Sequence, residues 1–210
     1  MAKIALIGAT GGIGQHVCAR ALSDGHTVSA LVRTPSTLKA HQNLVVVSGS
    51  VTDADAVATA LTDCEMVLSC LGTSGREAPV VTLGTRNIVA AMQHQRIHRL
   101  AMVSSIGIGN SRAQGKRVSR LFMHAIVPLF LRQRYYELEE AEAAARVIPK
   151  AVIVRPTGLS HRAGTGQYRV ETHDSRNTSL QIPRADVAAF MAALISNTTW
   201  DGQSVSLFSA

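Results

Sequence analysis

Aromatic side chains are scarce in this 210-residue chain: one Trp, three Tyr and four Phe, 4% of the whole. So few rings leave little for base stacking, and no helix-turn-helix or zinc-finger spacing is present. No nucleic-acid partner is therefore expected, although the formal net charge is +7. Cysteine is scarce too. Cys18, Cys64 and Cys70 are odd in number and form no C-x-x-C pair. That argues against a disulfide framework and for reduced, buried thiols in a cytoplasmic protein. Long apolar runs are missing. The stretch 4–7 behind Lys3 stops at Gly8, too short for a signal-peptide core, so no export is expected. The stretch 121–131 contains His124 and Pro128 and falls far short of the ~20 residues of a spanning helix, so no transmembrane segment is expected. A metal centre is not expected either. His94 and His98 stand four apart, but His98 falls where a helix should be ending. No Ser-His-Asp set has the context of a nucleophile elbow.

What is present is a globular composition, 46% hydrophobic and 17% charged, with no repeat, low-complexity tract or linker. Residues 1–210 are expected to form one domain. Short apolar runs alternate with longer amphipathic ones. Strands are expected at 3–7, 27–32, 44–47, 66–70, 100–103, 151–154 and 204–208. Ile13, Val17 and Ala21 recur at helical spacing. Further helices are expected at 53–61, 80–95, 135–146 and 185–195. Continuous apolar strands between helices indicate a mainly parallel, doubly wound sheet in a three-layer α/β/α sandwich of Rossmann type. Ligands of such sheets bind beyond the carboxyl ends of the strands. The residues there are 8–14, 33–36, 48–50, 71–73, 104–105 and 156–158, nearly all small, polar or glycine.

The stretch Gly8-Ala9-Thr10-Gly11-Gly12-Ile13-Gly14 follows a strand and opens a helix, the context in which glycines cradle a pyrophosphate. Gly8 permits the sharp turn, Gly11 lets the backbone approach the phosphates, and Gly14 allows close helix–strand packing. The helix start adds N–H donors and a partial positive charge. NAD-binding versions place Asp or Glu after the second strand. This chain has Arg33 there, which suits the 2′-phosphate of NADP(H), with Thr34 and Ser36 adding hydroxyls and Lys39 positive potential.

These motifs, with L-G-T at 71–73, "TRNIVAAM", Ser104-Ser105, V-R-P at 154–156, "GQYRVE" and "RADVAAFM", together resemble one family. It is the atypical short-chain dehydrogenase/reductase family with an NAD(P)H-binding domain, and within it the flavin and biliverdin reductases. The resemblance runs over nearly the whole chain. It implies that Gly8, Thr10, Gly11, Gly12 and Ile13 meet the pyrophosphate and Arg33 the 2′-phosphate. It places Ser50 and Val51 near adenine, and Leu71, Gly72 and Thr73 near the ribose and nicotinamide. Ser104 and Ser105 lie beside the nicotinamide, which Pro156 and Thr157 border.

Several positions depart from the pattern. Ser50 stands where such families often have Asp. The Tyr-x-x-x-Lys of catalytic short-chain dehydrogenases is absent. Tyr135-Tyr136-Glu137-Leu138-Glu139 offers no Lys to lower a phenol's pKa, so Tyr135 is expected to line the cleft. Gly158 occupies the place of a His in the flavin-reducing relatives, with His161 three residues on. A basic and apolar segment between the fifth strand and the helix at 135, with Arg132 and Arg134 at its end, is expected to cover the cleft. It suits a flat acidic acceptor. The expected activity is an NADPH-dependent reductase passing hydride to a flavin, tetrapyrrole or similar conjugated acceptor, with Ser105 orienting it. The alternatives are a non-enzymatic NADP(H)-binding redox sensor or assembly factor, and a nucleotide-sugar epimerase or dehydratase.

Overall fold

Short apolar runs that end in glycine or serine become the strands of one sheet, and the amphipathic runs between them cover it. The computed structural model describes residues 1–35, 38–72, 79–108, 127–172 and 179–210, with the backbone alone for 127–132. The strands are β1 (Lys3–Ile7), β2 (Thr27–Val32), β3 (Leu44–Ser48), β4 (Met66–Ser69), β5 (Arg99–Val103), β6 (Lys150–Pro156), β7 (Gly158–Ser160), β8 (Tyr168–Glu171), β9 (Gln181–Pro183) and β10 (Ser204–Ser209). The helices are α1 (Gly14–Ser23), α2 (Ala54–Leu61), α3 (Val80–Gln95), α4 (Val127–Ala145) and α5 (Arg184–Ala193).

The main sheet has the order β3-β2-β1-β4-β5-β6-β10-β8. It is parallel from β3 to β10, and β8 runs antiparallel to β10. The chain leaves β1 toward β2 on one side and returns to β4 on the other. The crevice outside β1 and β4 is therefore the switch point of a Rossmann-type sheet, where dinucleotides bind. A separate parallel pair joins β7 to β9.

Alternation along each strand feeds two cores. Ile4 and Leu6 of β1 pack with Val17 and Ala21 of α1 and with Val187 and Met191 of α5. Ala5 and Ile7 pack on the other face with Leu61 of α2, Ile88 and Met92 of α3, and Ala141 and Ala145 of α4. That makes three layers, as expected. Asp53 caps α2, its carboxylate accepting from the Asp55 and Ala56 amides at 3.0 and 3.2 Å.

Three features differ from the sequence reading. β3 is not enclosed, because it is the sheet edge: Val45 is 49% and Val46 37% exposed. The strands β7, β8 and β9 are additional. α4 begins at Val127, eight residues before 135, with Pro128 in its first turn, where a missing N–H costs little. The basic and apolar segment expected over the cleft therefore runs partly into this helix, and its residues 109–126 lie outside the described residues. Among the described residues no helix is long and apolar enough to cross a membrane.

The cysteines are free. Burial pushes the Cys64 thiol up to about 11 and the Cys70 thiol up to about 12. Folded-state values raised in this way stabilise the fold fully below the ordinary thiol pKa, ~8.5, and lose that contribution as pH rises toward the folded values. The melting temperature should therefore fall between about pH 8 and about pH 10.5, and a Cys64→Ala/Cys70→Ala variant should show a smaller fall. Equal falls in thermal scans would refute this linkage.

Candidate functional site

β1 ends at Ile7, and the chain must turn within its own width to enter α1. Gly8 makes the turn at φ +82°, and a Cβ there would stand 2.7 Å from the Cys70 carbonyl oxygen of the neighbouring crossover. Both the dihedral and the space demand glycine. The Gly11 amide closes the loop on the Gly8 carbonyl at 3.0 Å, and the Gln15 side chain donates to the Thr10 carbonyl at 2.8 Å. A Cβ on Gly14 would overlap the Gly8 carbonyl, so α1 starts hard against the strand end. Thr10, Gly11 and Gly12 are exposed at the rim, whereas Ile13 is buried in the core beneath them. No side chain caps α1, and its first turn holds no acidic residue. Its start is open to an anion.

Arg33 follows β2 on the same edge, exposed, as is Thr34. No ion pair engages Arg33 among the described residues. From Gly25 to Thr52 the chain has no Asp or Glu, so no carboxylate near this strand end takes the part that a ribose-binding acid plays in NAD sites. Ser36 lies outside the described residues.

The turn after β3 is fixed by its own side chains. Ser50 Oγ and Thr52 Oγ1 are 2.8 Å apart, and the Val51 carbonyl accepts from Asn87 Nδ2 of α3 at 3.0 Å. Val51 is buried against α3, where a Cβ on Gly84 would come within 2.7 Å of its methyl and 3.2 Å of Leu71 Cδ1. Val51 and Leu71 thus form one apolar wall. Gly72 beside it is exposed, with nothing within 4 Å of where a Cβ would stand. Thr73 lies outside the described residues.

Beyond β5 and β6 two ends are tied together, because the Ile106 amide donates to the Pro156 carbonyl at 3.1 Å. Ser105 sits half-buried there, and its Oγ donates to the Ile106 carbonyl at 3.2 Å. The Tyr135 hydroxyl arrives from α4 within hydrogen-bonding reach of Ser105 and contacts the Ile106 carbonyl at 3.5 Å. Burial pushes its phenol up, against a lowering by the Ser105 hydrogen bond. Pro156 and Thr157 are buried, and Thr157 Oγ1 has no hydrogen-bond partner among the described residues. The sequence reading paired Ser104 with Ser105, but the two hydroxyls part. Ser104 is buried and donates to Glu142 Oε1 at 2.6 Å, so its side chain belongs to the core.

Glu142 is the centre of a network that sequence reasoning missed. Arg155 Nε donates to Glu142 Oε1 at 2.9 Å and Arg155 Nη2 to Oε2 at 2.6 Å, both residues being fully enclosed. The available signal was a single charge in the apolar run AVIVRP of β6. The remaining residues are dispersed. Arg134 is exposed on α4, the Arg132 side chain is outside the described residues, and His161 is exposed after β7. Gly158 cannot become the relatives' His without displacing the Leu180 carbonyl, 2.8 Å from a Cβ there.

The residues present fit a dinucleotide. A glycine cradle, an uncapped helix start, an exposed cation at the second strand and an orphaned Thr157 hydroxyl share one edge of the sheet. A family model described as NAD(P)H-binding matches residues 8–198. Among solved structures, the anaerobillin reductase ChuY from Escherichia coli O157:H7 superposes with a TM-score of 0.84 at 25% identity, covering 99% of this chain and 97% of that one. A wide-type short-chain dehydrogenase/reductase from Veillonella parvula, in complex with NADP, shares the fold at a TM-score of 0.81 and 18% identity over 99% and 94% of the two chains. An uncharacterized protein of Mycobacterium tuberculosis is 25% identical over 173 residues, 72% of this chain and 20% of that protein. The chain thus spans about a fifth of the length of the first curated relatives it matches.

Proposed function

We propose that this chain, which belongs to the NAD(P)H-binding family, is an NADPH-dependent reductase that acts on a flat conjugated acceptor such as a flavin or tetrapyrrole. One observation carries the reading: Ser105 and Tyr135 bring two neutral hydroxyls to the ends of β5 and β6, with no Lys among the described residues to make either one acidic. Glu139 stands where a dehydrogenase would place that Lys. NADPH, when bound, supplies a hydride from its dihydronicotinamide ring.

The chain's own residues do the rest. The loop 8–14 and Arg33 hold the two phosphate-bearing parts. Ser50 and Val51 lie by the adenine, and Leu71 and Gly72 by the ribose and nicotinamide. Pro156 and Thr157 border the ring, and Ser105 orients the acceptor against it. Tyr135 keeps its proton at neutral pH, because burial raises its pKa, so it donates a hydrogen bond and does not act as a base. Reduction of a stacked conjugated ring asks chiefly for proximity and orientation, which such a site supplies. Arg134 offers an exposed cation for an acidic acceptor. The reductase among the solved relatives supports the class of reaction.

Steady-state NADPH oxidation with a panel of flavins, quinones and biliverdin tests the reading. Oxidation with at least one conjugated acceptor is expected. Ser105→Ala should lower turnover by roughly 2- to 13-fold, the worth of a neutral hydrogen bond. Tyr135→Phe should lower it less. A Tyr135→Phe loss of about 10²–10⁴ would restore proton-transfer catalysis of the dehydrogenase kind. Tight NADPH binding without oxidation by any acceptor would leave a redox sensor, the reading that Glu139 in place of Lys also favours.

A further inference from the structure

Arg184 is the first residue of α5, directly after β9, and it lies across the glycine loop. A Cβ placed on Gly12 would stand 2.9 Å from Arg184 Cδ and 3.0 Å from its Nε. The side chain therefore packs directly against Gly12, in the middle of the cradle. Its Nη1 is enclosed and has no hydrogen-bond partner among the described residues. A buried guanidinium nitrogen left unpaired indicates a missing acceptor. Two other buried hydroxyls have no partner among the described residues: Thr157 after β6, and Ser160, whose Cα partner in the β7–β9 pair is Pro183, the residue before Arg184.

The fold holds Arg184 in that place. α5 packs on α1 through the core face shared by Val17, Ala21, Val187 and Met191, so the two helices form one layer. Asp186, 1% exposed, fixes the start of α5 by accepting from the Thr165 and Gly166 amides, each at 2.9 Å. A cation in the first turn of a helix opposes the helix macrodipole, so its position there is not explained by the stability of α5. An anion between the loop and Arg184 would explain it.

We propose that Arg184 is a diphosphate-binding residue that closes the cradle from above. The glycine loop and the α1 start donate N–H groups from one side, and the Arg184 guanidinium donates charge-assisted hydrogen bonds from the other. Gly12 is then glycine so that this side chain can pass. The inference rests on the reading that the cleft holds a nicotinamide dinucleotide, but not on which one. The diphosphate is common to NADH and NADPH, whereas the 2′-phosphate near Arg33 is not.

Isothermal titration of wild-type protein, Arg184→Ala and Arg184→Lys with NADPH, NADH and 2′-AMP separates the two. Arg184→Ala should weaken NADPH and NADH by a similar factor, roughly 10- to 100-fold, and leave 2′-AMP, which lacks the diphosphate, unchanged. Arg184→Lys should recover part of the loss. Thermal melting of the free proteins checks that each variant is folded. Dinucleotide affinities within two-fold of wild type in Arg184→Ala would overturn the proposal while leaving the reductase reading intact. An equal loss of 2′-AMP affinity would also overturn it, since the change would then be structural. Equal binding of NADH and NADPH by the wild type would instead strike the Arg33 assignment alone, and binding of neither would end both.

Discussion

Replacing Glu142 with glutamine should destabilise the protein by about 3–5 kcal/mol, a large share of the roughly 5–15 kcal/mol that holds an ordinary domain folded. Arg155 is 2% exposed and Glu142 3% exposed, and their two parallel hydrogen bonds are 2.9 and 2.6 Å long. Ser104 donates a third at 2.6 Å, and Arg146 Nη2, just past the end of α4, approaches Oε2 at 3.5 Å. The amide of glutamine keeps the shape, removes the charge that offsets the guanidinium, and turns one acceptor into a donor facing another donor. Taking charges out of water is costly, so the pair contributes little on balance; breaking it is what costs. Glu142→Leu with Arg155→Met should accordingly recover most of the loss. Urea titrations of the three proteins measure both numbers. A single variant within about 1 kcal/mol of wild type would show that water reaches this network.

The network also locates what the sequence could and could not disclose. The parallel strands were legible because each is a short apolar run, and the period of two shows up as Ile4 and Leu6 on one face against Ala5 and Ile7 on the other. α3 was legible at both ends, and Asp53 announced α2. The glycine loop and Arg33 were legible because their meaning is local: a turn, a helix start, one side chain at a strand end. β7, β8 and β9 were not. They have three or four residues each, and β8 (YRVE) owes its strand state to antiparallel pairing with β10. The start of α4 was hidden by Pro128, which signals a break in a helix interior and fits a first turn. Charged side chains with distant partners were the least readable. Arg155 entered only as part of the V-R-P motif, Glu142 only as one residue of the helix expected at 135–146, and Arg184 only as the first residue of "RADVAAFM". What each does depends on a neighbour the fold brings from another part of the chain. Ser104 and Ser105 show the same limit at closest range. Adjacent and identical, they part just beyond the end of β5: Ser104 bonds a buried carboxylate, and Ser105 the Ile106 carbonyl.

Arg33→Asp should invert the choice of dinucleotide. In the wild type, charge-assisted hydrogen bonds from the guanidinium to a 2′-phosphate are worth roughly 1.5–3 kcal/mol, so NADPH should bind about 10- to 150-fold more tightly than NADH. A carboxylate in the same place repels the 2′-phosphate and can accept from the ribose hydroxyls of NADH, the part played by the acid after the second strand in NAD sites. The variant should fold normally, because Arg33 is exposed and makes no ion pair among the described residues. Exposure has a second consequence. The Debye length is about 10 Å at 0.1 M salt and about 3 Å at 1 M, so added salt should narrow the wild-type preference. NADH affinity should change much less, since its contacts near Arg33 carry no phosphate. Fluorescence titrations of both dinucleotides at two ionic strengths measure all of this. A wild-type protein that binds the two with equal dissociation constants at low salt would leave Arg33 as a solvated surface charge. The absence of any acid between Gly25 and Thr52 would then describe a site indifferent to the 2′ position.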